Sequence, residues 1–181
     1  MANNKNDVLK FWFKECKPIQ WFKKDEIFDG IIEKKFSFLV KETLKGKFDD
    51  WKECSKGCVA LIIILDQFTR NIFRNESSSF SGDKKALEIS YLCLRKGYIE
   101  NSELDWRHFM LIPMMHSEDI NIQNESLPLF KKFTNQKVYN FAVKHRDIIY
   151  KFNRFPHRNK ILGRKSTQEE ITFLKQPGSS F

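Results

Sequence analysis

The chain is poor in the residues that interrupt regular structure: its 181 residues hold only 7 Gly and 5 Pro. That scarcity excludes collagen-like and low-complexity chains and argues against a turn-rich all-β fold. Long apolar runs are also lacking. The longest, Cys58 to Leu65, falls far short of the roughly 20 residues that a membrane span requires. The opening Met-Ala-Asn-Asn-Lys-Asn-Asp has no apolar h-region and does not read as a secretory signal. Cysteine is sparse too. Only Cys54 and Cys58 are close in sequence, with Cys16 and Cys93 remote, so the second pair that a Cys-based zinc site needs is missing. Reduced thiols in a cytoplasmic chain are the expectation. What is abundant is Phe, 18 of them, in a composition 41% hydrophobic and 30% charged. Such a chain has ample material for one core, so a single domain over residues 1–181 is expected.

Charge is distributed unevenly. Between Leu129 and Lys165 there are seven Lys and four Arg against one acid, Asp147, while the whole chain carries +9. A basic third of this kind is a footprint for anions, whether nucleic acid, phosphorylated or carboxylated small molecules, or acidic partners. The arginines carry more information than the lysines. The chain uses 24 Lys but only 8 Arg, and five of those eight fall in two short stretches, Asp66–Arg74 and Arg154–Arg164. Arg offers a planar fork for bidentate contact with carboxylate or phosphate, which Lys does not. Clustering it beside Asn, His and Asp implies a polar constellation of fixed geometry, either a site or a buried network.

Periodicity predicts helix almost throughout. Asp7 reads as the cap of a short helix through Phe13. Asp25 caps a longer one ending at Gly46, with Phe28, Ile31, Ile32, Phe36 and Leu39 on its inner stripe. Gly57 precedes the apolar run that continues into the first Arg stretch. Asn75–Gly82 is a loop, and Asp83 caps a helix stopped by Gly97. A helix from Glu103 to Met115, perturbed near Pro113, leads through His116-Ser117-Glu118-Asp119 into another that ends near Phe133. Gln136 to Asn153 is strongly amphipathic, with Val138, Phe141, Ala142, His145, Ile148, Ile149 and Phe152 on one face. Thr167 and Glu170 form a capping box for a last helix through Leu174. Short connections between helices imply an array of antiparallel pairs.

Four motifs in this order carry a resemblance: Val8-Leu9-Lys10-Phe11-Trp12-Phe13, Asp66-Gln67-Phe68-Thr69-Arg70-Asn71-Ile72-Phe73-Arg74, His116-Ser117-Glu118-Asp119, and Arg154-Phe155-Pro156-His157-Arg158-Asn159 through Leu162-Gly163-Arg164. With these the chain resembles the bacterial family known as domain of unknown function 924, from Val8 to the closing Gly178-Ser179-Ser180-Phe181. The resemblance implies an all-helical, tetratricopeptide-like fold and no established reaction. One departure is Asn153, where the family tends to have Gly. Asn also adopts a left-handed backbone, so the turn is expected to survive.

Function must then come from the residues. On the helix from Cys58 to Arg74, Val59, Ile63, Asp66, Arg70 and Arg74 share a face that turns from apolar to charged. Asp66 and Arg70 are spaced to pair, which leaves Arg74 for an anion. In His116-Ser117-Glu118-Asp119, Ser117 reads as a helix cap with the two acids in the first turn, which accounts for the acids but not for His116. His116 oriented by a carboxylate suits a general base. His116 with Asp119 and His157 or His145 is also a set able to hold a divalent metal, but neither H-E-x-x-H nor a paired E-x-x-H pattern appears, and no metal is assigned. His145 reads as a core histidine. His157, flanked by Arg154 and Arg158, is expected to have a lowered pKa unless Glu118 or Asp119 reaches it.

Three readings follow. The leading one is a pocket for a small anionic ligand, with His116, Glu118 and His157 as catalytic candidates and Asp66, Arg70, Asn71, Arg74, Asp119, Arg154, Arg158, Asn159 and Arg164 binding the ligand. It requires Asp66, Arg70, Asn71, His116, Glu118, Arg154, His157 and Arg158 to converge around one cavity. The second is a tetratricopeptide-like module for a peptide or acidic protein. Nucleic acid is disfavoured, because the aromatics near the basic stretch point to the core and form no stacking platform. No membrane partner is expected. The sequence names no cofactor and no reaction class, since nucleophile motifs, P-loop and dinucleotide fingerprints are all missing.

Overall fold

A computed structural model describes residues 4–180; Met1–Asn3 of the opening stretch and Phe181 of the closing motif lie outside them. Among the described residues every regular element is helical. No helix there is long and apolar enough to cross a membrane.

The apolar run beginning at Cys58 becomes the centre of the molecule. It forms α3 (Ser55–Ile62), a π-helical turn at Ile63–Phe68 and α4 (Thr69–Ile72), one continuous rod. Because Cys58 through Phe68 are buried without interruption, the rod must be covered on all sides. Around it pack α1 (Lys5–Lys10), α2 (Glu26–Leu44), α5 (Asp83–Arg95) and α6 (Leu104–Met115). Further along, α6 packs on α7 (Ile120–Phe133) and α7 on α8 (Gln136–Phe152), each helix against its successor. The last helix, α9 (Gln168–Leu174), rests on the 3₁₀ turn Pro156–Arg158. The phenylalanines account for much of the cohesion. Phe36 stacks on Phe68 at 4.6 Å, and Trp12 meets Phe68 and Phe109 edge-on at 5.5 and 5.7 Å. Each such ring removes about 150–250 Å² from water, roughly 4–6 kcal/mol before the entropy of ordering is charged against it.

Several helix ends form as their sequence dictates. Asp25 accepts from the backbone N–H of Ile27 and Phe28, and Thr167 and Glu170 form their reciprocal box. Asn153 takes the left-handed conformation, φ 55°, that ends α8. Others differ. Asn4, not Asp7, caps α1, because its side chain accepts from both Asn6 and Asp7 N–H. Asp119, not Ser117, caps α7, while Ser117 Oγ accepts from Asp119 N–H. Gly82 precedes α5, and Asp83 is its first residue. Ile31 and Phe141, placed on core faces by periodicity, stand partly in solvent.

Candidate functional site

The π-helical turn sets the site's geometry. Inserting it shifts the register of the rod, so Val59, Ile63 and Asp66 do not share an open charged face; all three are fully buried. A buried carboxylate needs partners, and Asp66 has four contacts. Its Oδ1 lies 2.7 Å from Nδ1 of His116 and 3.3 Å from Nη1 of Arg70, Gln67 Nε2 donates to Oδ2, and its backbone oxygen accepts from Arg70 Nη1 at 2.8 Å. Burial pushes the Asp66 carboxyl up, but Arg70, His116 and Gln67 outweigh it and hold the group ionised.

His116 ends α6, so its ring reaches back from the α6–α7 corner to the rod. Burial lowers its pKa, and Arg70 and Arg158 add to this while Asp66 opposes them. The outcome is a neutral imidazole at pH 7 with Nδ1–H donated to Asp66. Among the described residues nothing pairs with its Nε2. That edge carries an available lone pair, the arrangement a general base requires.

Arg70 spends its fork on Asp83, with Nη1 and Nη2 at 2.9 and 3.1 Å from the two carboxylate oxygens. Arg158 is less well compensated. Its Nη1 lies 3.5 Å from the same Asp83, its Nη2 donates to the backbone oxygen of His116 at 3.0 Å, and among the described residues its buried Nε has no partner. The guanidinium sits over the rings of Phe80 and Phe155, 4.7 and 4.6 Å from their centroids. Burial and then Arg70 lower its pKa to about 10.

The remaining candidates occupy two further layers. Glu118 takes a bidentate contact from Arg164, 2.7 and 3.0 Å, and accepts from the backbone N–H of Phe155 at 2.7 Å. Burial raises the Glu118 pKa, but those bonds outweigh it and keep the group ionised. With both oxygens engaged, Glu118 fixes the Phe155 turn and does not reach His157. Arg154 is bidentate to Glu170, and Asn159 Nδ2 meets Ser166 Oγ at 3.1 Å. Asn71 and Arg74 both contact Asp29 of α2. Arg74, expected to be left for an anion, is therefore committed to a carboxylate. Asp119 serves as the α7 cap.

The two Arg stretches thus converge, with Asp66, Arg70, His116 and Arg158 at the centre. The convergence is closer than expected: these groups meet one another rather than line a cavity. Two surface clefts, of about 370 and 350 Å³, lie along α8 and between α8 and α9, and of the candidates Arg154 alone lines one of them. The cluster reaches solvent at Arg70, Asp83 and His116, whose side chains keep 21%, 24% and 15% of their exposure. All four histidines of the chain gather on it. The ring of His145 is 6.1 Å from that of His116 and 5.6 Å from Phe155, which in turn lies 5.6 Å from His157, while His108 stacks on Phe109 and feels both His116 and Asp66. Among the described residues no three His, Cys, Asp or Glu side chains are grouped as metal ligands.

A model of a family described as "Bacterial protein of unknown function (DUF924)" matches residues 8–178. The chain belongs to this family. A solved structure, that of the protein of unknown function ATU0120 from Agrobacterium tumefaciens, is 34% identical, covers 94% of this chain and 96% of its own, and superposes with a TM-score of 0.89. Among proteins of curated function none matches. Three of the four stretches quoted from the sequence, Asp66–Arg74, His116–Asp119 and Arg154–Arg164, supply the cluster just described, while Val8–Phe13 packs in the aromatic core. The sequence marks neither Asp83 nor Asp29, the carboxylates that Arg70 and Arg74 meet, as a site residue. Asp83 reads as a helix cap, where an acid is ordinary, and Asp29 lies outside both Arg stretches.

The histidines should make the stability of this DUF924 chain sensitive to acid. Burial, more than the neighbouring cations, lowers His108 to about 4 and His145 and His157 to about 3, against about 6.5 for an unfolded chain. The unfolded state therefore binds more protons below pH 6.5, and stability present above that pH is lost as pH falls towards 4. Unfolding free energy measured with urea should fall between pH 7 and 5 by up to about 1.4 kcal/mol per pH unit for each histidine, before the carboxylates titrate. His157→Gln should reduce that slope. A flat profile between pH 7 and 5 would show that the histidines are not held neutral.

Proposed function

We propose that the protein binds a small anion bearing phosphate or carboxylate at the solvent-facing edge of His116, Arg70 and Arg158, and that His116 acts there as a general base. The observation that carries this reading is the 2.7 Å contact between fully buried Asp66 and His116 Nδ1. A carboxylate behind the ring orients it and stabilises the imidazolium that forms when Nε2 takes a proton. His157 is the weaker base, since an imidazole lowered to about 3 by burial and Arg158 gains little from protonation. It suits a neutral hydrogen-bonding role beside the ligand. Arg158 supplies the attraction: it is buried, it shares Asp83 with Arg70, and among the described residues its Nε is unpaired. A ligand anion competing for these guanidiniums would displace part of the Asp83 contact, which lies at the cluster's exposed edge.

The test is thermal stabilisation by inorganic phosphate, phosphomonoesters and carboxylates. At a hundred times its dissociation constant, a ligand adds about 2.7 kcal/mol to the stability of the unaltered chain. Arg70→Ala and Arg158→Lys should remove the response, while Lys144→Ala keeps it, because a point charge does not reproduce the fork. No response from the unaltered chain, or equal losses from all three substitutions, would defeat the reading.

A second reading is supported by the cleft of about 370 Å³ on α8, lined by Lys137, Asn140, Phe141 and Lys144. An apolar floor between cations suits a peptide segment with acidic and apolar side chains, as an interaction module would bind. In that case Lys144→Ala is the substitution that weakens binding and Arg158→Lys the one that does not.

A further inference from the structure

Ten large apolar side chains stand exposed among the described residues, and five of them lie between Ile19 and Phe38. Three are on α2. At about 100° per residue, Ile27, Ile31 and Phe38 fall within about 40° of one another, well away from the buried stripe of Phe28, Ile32, Phe36 and Leu39. Their protrusion is large, with Ile27 80% and Phe38 54% exposed. The same sector carries Lys34 and Lys41. Glu26, Asp29 and Glu33 fall in a separate sector, so α2 has a core side, an acidic side and a side that is apolar and basic. Just before it, the loop adds exposed Ile19 and Phe22 with Lys17, Lys23 and Lys24. Lys23 meets Asp25 at 3.8 Å, but among the described residues no ion pair holds Lys17, Lys24, Lys34 or Lys41.

We propose that this face of α2 and its preceding loop lies on an anionic membrane surface. Protruding Ile and Phe side chains flanked by unneutralised lysines are what such a surface selects, the apolar groups entering the headgroup boundary and the ammonium groups meeting lipid phosphates and carboxylates. The absence of a spanning helix among the described residues does not bear on adsorption. A second copy of the chain fits less well. The middle of the stripe falls beside Lys34, so a two-fold pairing would set Lys34 against its own copy. An acidic peptide needs a groove, and the two clefts described above are along α8 and between α8 and α9 rather than here. The proposal does not rest on the anion site: none of α2's exposed residues belongs to that cluster, and the preceding loop comes near it through Lys24, whose charge His157 feels.

Co-sedimentation with vesicles tests it directly. The full chain should pellet with vesicles of equal parts phosphatidylcholine and phosphatidylserine and remain in solution with phosphatidylcholine alone. Raising the salt should release it. The double substitution Ile27→Asp with Phe38→Asp, and separately Lys34→Glu with Lys41→Glu, should each reduce the bound fraction at least about ten-fold. Because all four side chains are exposed, the melting curves by circular dichroism should match that of the unaltered chain. Failure to pellet with either vesicle, equal binding to both, or undiminished binding by the variants would overturn the proposal. So would sedimentation velocity showing a dimer that Ile27→Asp with Phe38→Asp dissolves, or binding to poly-glutamate with the same α2 dependence and none to vesicles.

Discussion

Asp66→Asn should lower the stability of the chain by about 3–5 kcal/mol, the usual cost of removing one partner from a buried ion pair. For a chain of this length that corresponds to a fall in Tm of roughly 10 °C. The size follows from the environment: Asp66 is fully buried, and its carboxylate is the acceptor for His116, Arg70 and Gln67 together. The amide is nearly isosteric, so the loss reports charge and hydrogen-bond direction rather than a cavity. Arg70 keeps Asp83, which limits the damage to the inner contact. The same substitution has a second signature. An amide at position 66 can turn its NH₂ towards Nδ1 of His116 and move the ring proton to Nε2, which removes the base. Nitrogen-15 NMR of the histidines should therefore show a protonated Nδ1 in the unaltered chain and a changed tautomer in Asp66→Asn. A loss of stability below about 1 kcal/mol with an unchanged tautomer would mean that Asp66 neither holds the network nor orients the ring.

Gly82→Ala should be at least as disruptive although it deletes nothing. A Cβ built at Gly82 would lie 2.1 Å from the backbone oxygen of Leu65 and 2.9 Å from its Cα. Both sides of that contact are backbone, so neither can rotate away. The start of α5 would have to lift off the π-helical turn, carrying Asp83 away from Arg70 and Arg158. The expected loss exceeds about 3 kcal/mol, above the usual range for overpacking because no flexible side chain can absorb it. Gly30→Ala is the control. Gly30 is exposed in the second turn of α2 with no atom within 4 Å of the built Cβ, so Ala there should stabilise by about 0.5–1 kcal/mol through helix propensity alone. Chemical denaturation of the two variants checks the contrast, and similar values for both would show that the Leu65 approach is not tight.

What the sequence determined by itself is the local hydrogen bonding and periodicity of the chain. Asp25 before α2, the Thr167–Glu170 box and the left-handed Asn153 were legible because each depends on residues within four positions. The all-helical fold followed from the same short-range signals, the family from the order of its motifs, and the core of the candidate site from the unusual placement of arginine. Only the tertiary structure decided which carboxylate each arginine meets. Arg74 pairs with Asp29 at a separation of 45 positions and Arg158 with Asp83 at 75, contacts that no periodicity encodes. The tertiary structure also decided which apolar side chains stay in solvent. Ile31 and Phe38 satisfy the helical pattern as well as Phe36 does, but burial requires a neighbouring element, and none of the described residues covers that side of α2. The π-helical turn belongs to the same class. It is permitted because the rod it interrupts is enclosed on all sides, so packing rather than local propensity sets the register that places Asp66 against His116.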